Sequence, residues 1–318
     1  MKTVKPKIYF LGSGDIAVPV LKSLAEAPEV ELLGVGTQLD RPAGRKRQLT
    51  PTPVGAYAAS KEMEIDKIAS VNAPEFLEKM RSLAPDIILV VSFGQLLKEE
   101  ILHLPRVGCV NIHASLLPRY RGASPIVQCV LNRDTETGVA FMLMDKGLDT
   151  GPVYQTITIP LDHREYADAL EFKMGLIAGR EAPGILCAIA KGELEAVPQD
   201  SGFATCCTKI RKSDGNIDWS CSFEDIDAMV RAYTPWPGAK CRILTSKGEN
   251  VVALTKVKKR PALSGKPGQV IQADKYGLII GCGKAAIEVV ELAPPGRHAM
   301  PAAAFLNGLR GEKPVILS

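Results

Sequence analysis

The sequence predicts an α/β protein, with a doubly wound parallel sheet first and a smaller antiparallel sheet or barrel after it. Three observations lead there. The chain has 318 residues, and at roughly 100–200 residues per domain that length predicts two domains. Up to residue 191, short apolar runs alternate with helix-period patterns, as in a parallel sheet covered by helices on both faces. Beyond residue 208, short β-runs follow one another between Gly and Pro signals, as in a small antiparallel sheet or barrel.

In chain order, residues 7–11 are a β-rich apolar run ending at Gly12-Ser13-Gly14-Asp15. In 16–26, Ile16, Val20, Leu21 and Leu24 share one helical face. Residues 30–35 form the second strand. Ile87–Val91 is apolar throughout, the pattern of a strand buried on both faces. Residues 107–112 and 139–143 are further strands of the same sheet. A helix ends at Lys191-Gly192-Glu193, and 192–208 reads as a linker. The expected domains are therefore 1–191 and 209–318. In the second, a helix at Phe223–Tyr233 precedes strands at 239–244, 251–257, 268–273, 277–281 and 286–292.

Composition narrows the function classes. The chain is 46% hydrophobic and 23% charged, ordinary for a globular protein, which excludes a disordered chain, a fibrous repeat and a coiled coil. No stretch approaches the ~20 apolar residues of a membrane span. Met1-Lys2-Thr3-Val4-Lys5-Pro6 runs straight into a strand, so no signal peptide is expected. The eight cysteines form no CxxC pair and no metal-ligand spacing. Reduced thiols in a cytosol are expected, without a metal site. No repeat or heptad pattern occurs, and a monomer is expected.

The net charge of +4 divides unevenly. Residues 1–208 carry 22 basic and 25 acidic side chains, and 209–318 carry 17 and 10. An excess of +7 in the second part points to a polyanionic partner or to a solvated basic surface.

In a doubly wound sheet, ligands sit beyond the carboxyl ends of the strands, so the segments there carry the chemistry. Gly12-Ser13-Gly14-Asp15-Ile16-Ala17 fits the dinucleotide fingerprint G-x-G-x-x-A. The second strand, however, ends at Gly36-Thr37-Gln38 without the acid that grips a ribose. A tight strand-to-helix turn is the expected role. Asn111 and His113 stand two apart at a strand end, so period 2 puts both side chains on one side. An amide donor beside an imidazole suits acyl transfer, since one can hold an oxyanion and the other can move a proton near neutral pH. Leu117-Pro118 is a site for an unusual turn. In Asp145-Lys146-Gly147-Leu148-Asp149-Thr150-Gly151, a carboxylate can face His113 and favour its imidazolium, or both acids can cap a turn. Arg41, Arg45, Lys46 and Arg47 put four basic residues within seven in the loop after the second strand. Such a loop suits phosphates or is a solvated surface.

Asn-Ile-His-Ala-Ser-Leu-Leu-Pro-Arg-Tyr-Arg-Gly-Ala-Ser-Pro-Ile at 111–126, with Gly-Leu-Asp-Thr-Gly at 147–151, resembles the formyl-tetrahydrofolate transferase superfamily. The loop Asp40-Arg41-Pro42-Ala43-Gly44-Arg45, Ile217-Asp218-Trp219-Ser220 and Pro235-Trp236-Pro237-Gly238 narrow the likeness to its methionyl-tRNA formyltransferase branch. The likeness runs end to end. Ser13-Gly14-Asp15 departs from the branch's more usual Thr-Pro-Asp, and 64–76 is less typical.

The resemblance implies a Rossmann-like catalytic domain and an OB-like β-barrel that adds basic tRNA contacts. It implies that Asn111 holds the formyl oxygen, that His113 takes part in proton transfer and that Asp149 completes the set. Ser115, Leu116, Leu117 and Pro118 would bind the folate, with the pterin between 93–97 and 145–149. Arg45, Lys46 and Arg47 would contact the tRNA acceptor stem. The implied reaction moves the formyl group of 10-formyltetrahydrofolate to the α-amine of initiator Met-tRNA in a bacterial cytoplasm, with no metal. A folate-dependent transferase acting on a nucleotide-linked amino sugar is the alternative.

Overall fold

In the computed structural model, which describes residues 5–44, 47–246, 248–309 and 313–317, the run at 7–11 becomes strand β1 (Lys7–Gly12). There follow α1 (Ala17–Glu26), β2 (Glu31–Gln38), the short strands β3 (Arg41–Ala43) and β4 (Gln48–Thr50), α2 (Pro53–Ser60) and β5 (Asp66–Ile68). Next come α3 (Pro74–Leu83), β6 (Ile87–Val91), α4 (Glu99–Leu102), β7 (Gly108–His113) and β8 (Arg121–Gly122). The series continues with α5 (Pro125–Leu131), β9 (Glu136–Leu143), β10 (Val153–Pro160), α6 (Ala167–Lys191) and β11 (Cys206–Cys207). The chain divides into two units. One is Met1–Pro125, Glu136–Pro160 and Ala169–Cys207, and the other is Ile126–Thr135, Leu161–Asp168 and Thr208–Ser318.

The first unit holds a seven-stranded sheet in the order β10-β9-β7-β6-β1-β2-β5. Strands β5, β2, β1, β6 and β7 are parallel. Strands β9 and β10 are antiparallel to their neighbours. The expectation that 139–143 continues the parallel set is corrected here. A parallel return needs a crossover, usually a helix lying on the sheet. Most of α5, the helix between β7 and β9, groups with the second unit. It supplies no crossover, and the chain re-enters the sheet reversed.

Every residue of β6 is buried, as its unbroken apolar run predicts. Tyr9, Leu11, Ile88 and Val90 pack with Phe76, Leu77 and Met80 of α3. Fully burying an aliphatic or Phe side chain of this kind contributes roughly 1.5–3 kcal/mol. The Tyr9 ring meets Phe76 edge-on at 5.7 Å, and its hydroxyl bonds Asp66. On α1, Ala17, Val20, Leu21 and Leu24 are buried. The turn before it brings the Gly14 amide to the Ser92 carbonyl at 3.2 Å. A Cβ at Gly14 would lie 2.4 Å from Ser92 Oγ, so the fingerprint glycine serves this close approach.

The stretch 192–208 is tied along the first unit. Val197 and Val153 form an antiparallel bridge, and β11 pairs in parallel with β8.

In the second unit, α7 (Phe223–Tyr233) is followed by β12 (Ala239–Thr245), β13 (Gly248–Arg260), β14 (Val270–Asp274), β15 (Gly277–Cys282), β16 (Ala285–Ala293), β17 (Met300–Pro301), α8 (Ala302–Asn307) and β18 (Val315–Leu317). All of its strand pairs are antiparallel, in the order β14-β15-β16-β13-β12-β18 with β17 beside β16. The barrel-like sheet closes on Trp219, Ile226, Val230, Leu254, Ile280 and Leu292. Ser222 caps α7 by accepting from the Asp225 amide. Lys209, Arg211, Lys212, Lys256, Lys258 and Lys266 are exposed.

Candidate active site

Strand β7 places Asn111 and His113 on one face, as period 2 requires. Asn111 is half-buried and His113 is 6% exposed. The chain then makes a tight return. Ser115 Oγ donates to the Arg119 carbonyl at 2.6 Å, Arg119 N donates to the Leu116 carbonyl, and Leu117-Pro118 is cis. The return brings the Tyr120 carbonyl to 2.9 Å from His113 Nε2. A carbonyl can only accept, so Nε2 carries the hydrogen and Nδ1 is the ring atom free to take a proton.

Asp149 faces that nitrogen. Its Oδ2 is 3.7 Å from His113 Nδ1 and accepts from the Gly122 amide at 2.8 Å. Its Oδ1 is 3.5 Å from Asn111 Nδ2. The route to this position differs from a simple strand-end loop. Leu143 lies beside Val110, so β9 ends at the start of β7, and the loop must fold back to reach Asn111 and His113. Gly151 permits the fold-back: a Cβ there would lie 1.8 Å from the Leu143 carbonyl. Asp149 itself has φ 54°, in the left-handed region that Asp enters more readily than most L-residues. Asp145 does the turn work, accepting from Gly147 N at 2.9 Å and Thr150 Oγ1 at 2.7 Å.

The return after β7 is bound by the segment before and through β11. Thr205 N donates to the Pro118 carbonyl, and Arg121 N donates to the Thr205 carbonyl. Tyr120 N donates to Thr205 Oγ1 at 2.8 Å. Gly122 has φ 116°, and a Cβ on it would meet the Cys207 carbonyl at 2.2 Å. Gln199 joins Arg121 to the Asp149 loop by hydrogen bonds at both ends of its amide. Sequence reading missed Gln199 and Thr205 because they lie in the supposed linker, where no periodicity or motif marks them.

The remaining expected residues divide. Ser115 is fully buried and its hydroxyl is engaged in the turn, whereas Leu116, Leu117 and Pro118 are half-buried. Leu96 and Leu148, one in each segment assigned to the pterin, are 68% and 64% exposed, and such apolar side chains suit the face of a flat ring. The basic loop is a small hairpin, with Arg41 opposite Thr50 and Pro42 opposite Leu49. Arg47 is exposed, and Arg45 and Lys46 lie outside the described residues. Arg41 donates to Gln38 Oε1, and Gln38 Nε2 donates to the Phe93 carbonyl, so the hairpin base is bonded to the 93–97 segment. Among the described residues, no three His, Cys, Asp or Glu gather as a metal site, and no helix is long and apolar enough to cross a membrane.

The formyl transferase family matches residues 6–177, and the formyl transferase C-terminal domain matches 209–310. The methionyl-tRNA formyltransferase of Geobacter metallireducens is 40% identical over 305 residues, covering 96% of each chain. That of Geobacter sulfurreducens is 38% identical over 306 residues, covering 96% of this chain and 95% of its own. Among solved structures, HypX from Aquifex aeolicus in complex with tetrahydrofolic acid superposes with a TM-score of 0.64 at 16% identity. It covers 97% of this chain, which spans 48% of that longer one. That likeness is one of fold. The identity to the Geobacter proteins extends over both matched regions at nearly full length, and on that ground the chain belongs to the methionyl-tRNA formyltransferase family of formyl transferases.

Proposed function

We propose that this enzyme transfers the formyl group of 10-formyltetrahydrofolate to the α-amino group of initiator methionyl-tRNA, acting as a monomer in the bacterial cytosol. The observation that carries the reading is that Asp149 lies 3.5 Å from Asn111 and 3.7 Å from His113 in a chain of this family.

When bound, the folate presents a formyl group on N10. His113 receives at Nδ1 the proton that the attacking amine gives up on bonding the formyl carbon, because its Nε2–H is held by the Tyr120 carbonyl, and it returns that proton to N10 as the C–N10 bond breaks. Asp149 stabilises the resulting imidazolium at 3.7 Å, where both side chains are nearly buried and water screens them poorly. Asn111 has two amide hydrogens and, among the described residues, only a long contact, 3.5 Å, to Asp149. It therefore has a donor for the negative charge that builds on the formyl oxygen, an interaction worth roughly 2.7–4 kcal/mol in comparable sites. Leu96, Leu148 and the half-buried 116–118 turn offer apolar surface to the folate. The exposed basic side chains of the second unit and of the β3–β4 hairpin offer charge to tRNA phosphates.

The test compares acceptors. With 10-formyltetrahydrofolate as donor, formylated product is measured for Met-tRNA, for a nucleotide-linked amino sugar and with no acceptor. Transfer to Met-tRNA at least tenfold faster than to the sugar is expected. Preference for the sugar would assign the chain to the alternative reaction.

A further inference from the structure

We propose that Gln199 is a positioning residue for Asp149, which makes part of the 192–208 stretch a component of the active site. The proposal rests on the reading of Asp149 as the partner of His113.

The Gln199 amide uses its full hydrogen-bonding capacity. Its nitrogen donates to the carbonyls of Asp149 at 2.9 Å and Gly151 at 2.7 Å. Its oxygen accepts from Arg121 Nε at 3.0 Å and Nη2 at 2.8 Å. The amide fits one way only. Reversed, its NH2 would face a guanidinium that has only donors, and its oxygen would face two carbonyls. Arg121 is 8% exposed, and its guanidinium donates twice to this one acceptor.

Asp149 is thereby gripped at two points from one short strand. The Gly122 amide of β8 holds the carboxylate. Arg121, next to it in the chain, holds Gln199, which holds the backbone on either side of Thr150. The grip matters because Asp149 has a left-handed backbone, φ 54°, one of several conformations open to an Asp, and the bonds to the loop carbonyls select it. Released from Gln199, the loop can relax and carry Oδ2 away from His113 Nδ1.

The experiment uses the full-length enzyme and the variants Gln199→Ala, Gln199→Glu, Asp149→Ala and Asp149→Ala with Gln199→Ala. Gln199→Ala is expected to lower kcat about 10- to 100-fold, the scale of a roughly 1 Å misplacement, with both KM values within about threefold. In the Asp149→Ala background, the same change should cost less than about twofold, because a residue acting through Asp149 has nothing left to position. Gln199→Glu keeps an acceptor for Arg121 and loses the two donations to the loop, so it should lose turnover as the Ala variant does while keeping the buried charge partnered. Wild-type turnover in either single Gln199 variant, or losses that multiply in the double variant, overturns the proposal. Amide hydrogen exchange at Gly122 gives a readout independent of activity. It should speed up in the Gln199 variants while the β6 amides stay protected, and unchanged exchange at Gly122 also overturns the proposal. If Asp149→Ala alone keeps full turnover, the catalytic reading fails, and Gly122 exchange still decides whether Gln199 holds the loop.

Discussion

Asp149 Oδ2 lies between His113 Nδ1 at 3.7 Å and the Gly122 amide at 2.8 Å. One oxygen thus links the His113 ring to a backbone donor in β8. Asp149→Asn separates the charge from the shape, because an amide oxygen can still accept from Gly122. Turnover is expected to fall about 10²–10³-fold, within the range of a lost acid–base contribution. The KM for Met-tRNA should hold, and the melting temperature should stay close to wild type. Single-turnover formylation and thermal unfolded by circular dichroism check both. An Asn variant within threefold of wild type would mean that the carboxylate charge plays no part.

The basic hairpin gives a different signature. Arg45→Ala should raise the KM for Met-tRNA several-fold and leave the KM for 10-formyltetrahydrofolate unchanged. If Arg45 meets a phosphate, the slope of log(kcat/KM) for tRNA against log salt becomes shallower by about one. Equal loss toward both substrates, with no change in slope, would remove the loop from the tRNA contact.

Which parts were legible in the sequence follows from where their signals lie. The apolar run of β6 and the helical face of α1 are local patterns, and each formed as written. Asn111 and His113 were readable because a period of 2 fixes their common side. The reversal of β9 was not readable, since 136–143 has the same apolar content in either direction. Direction depends on whether α5 lies on the sheet, a tertiary fact. Asp145 and Asp149 offer the same side chain four residues apart, and residue spacing alone left both open. The fold-back at Gly151 and the bond from Gly122 put Asp149 at His113. Gln199 carries no pattern at all, because its partners come from 48 residues or more upstream and its neighbours are irregular.

The cysteines should react unequally. Burial pushes the thiols of Cys109 and Cys241 up to about 12, so at pH 8 both stay protonated, and the thiolate is the reactive form. Burial also raises the Cys207 thiol, whereas Cys206 beside it is exposed. Brief treatment of the native enzyme with iodoacetamide at pH 8, followed by peptide mass mapping, should find Cys206 modified and Cys109 and Cys241 intact. Early labelling of Cys241 would contradict its place in the second core.

Two glycine-to-alanine changes should have opposite effects. At Gly151, a Cβ would lie 1.8 Å from the Leu143 carbonyl and 3.4 Å from Asp145 N. Both neighbours are backbone and cannot swing away, so the loop must shift and take Asp149 with it. A displacement of about 1 Å at a catalytic group can cost 10²-fold. Gly151→Ala is therefore expected to lose about that much turnover with bound folate affinity little changed. At Gly184, inside α6, a Cβ meets nothing within 4 Å, and Ala favours an exposed helix interior over Gly by about 0.5–1 kcal/mol. Gly184→Ala should raise the melting temperature by a few degrees and leave turnover at the wild-type value. Thermal unfolding and steady-state formylation of both variants test the pair together. A Gly151→Ala enzyme with wild-type turnover would show that Asp149 does not depend on the fold-back for its position.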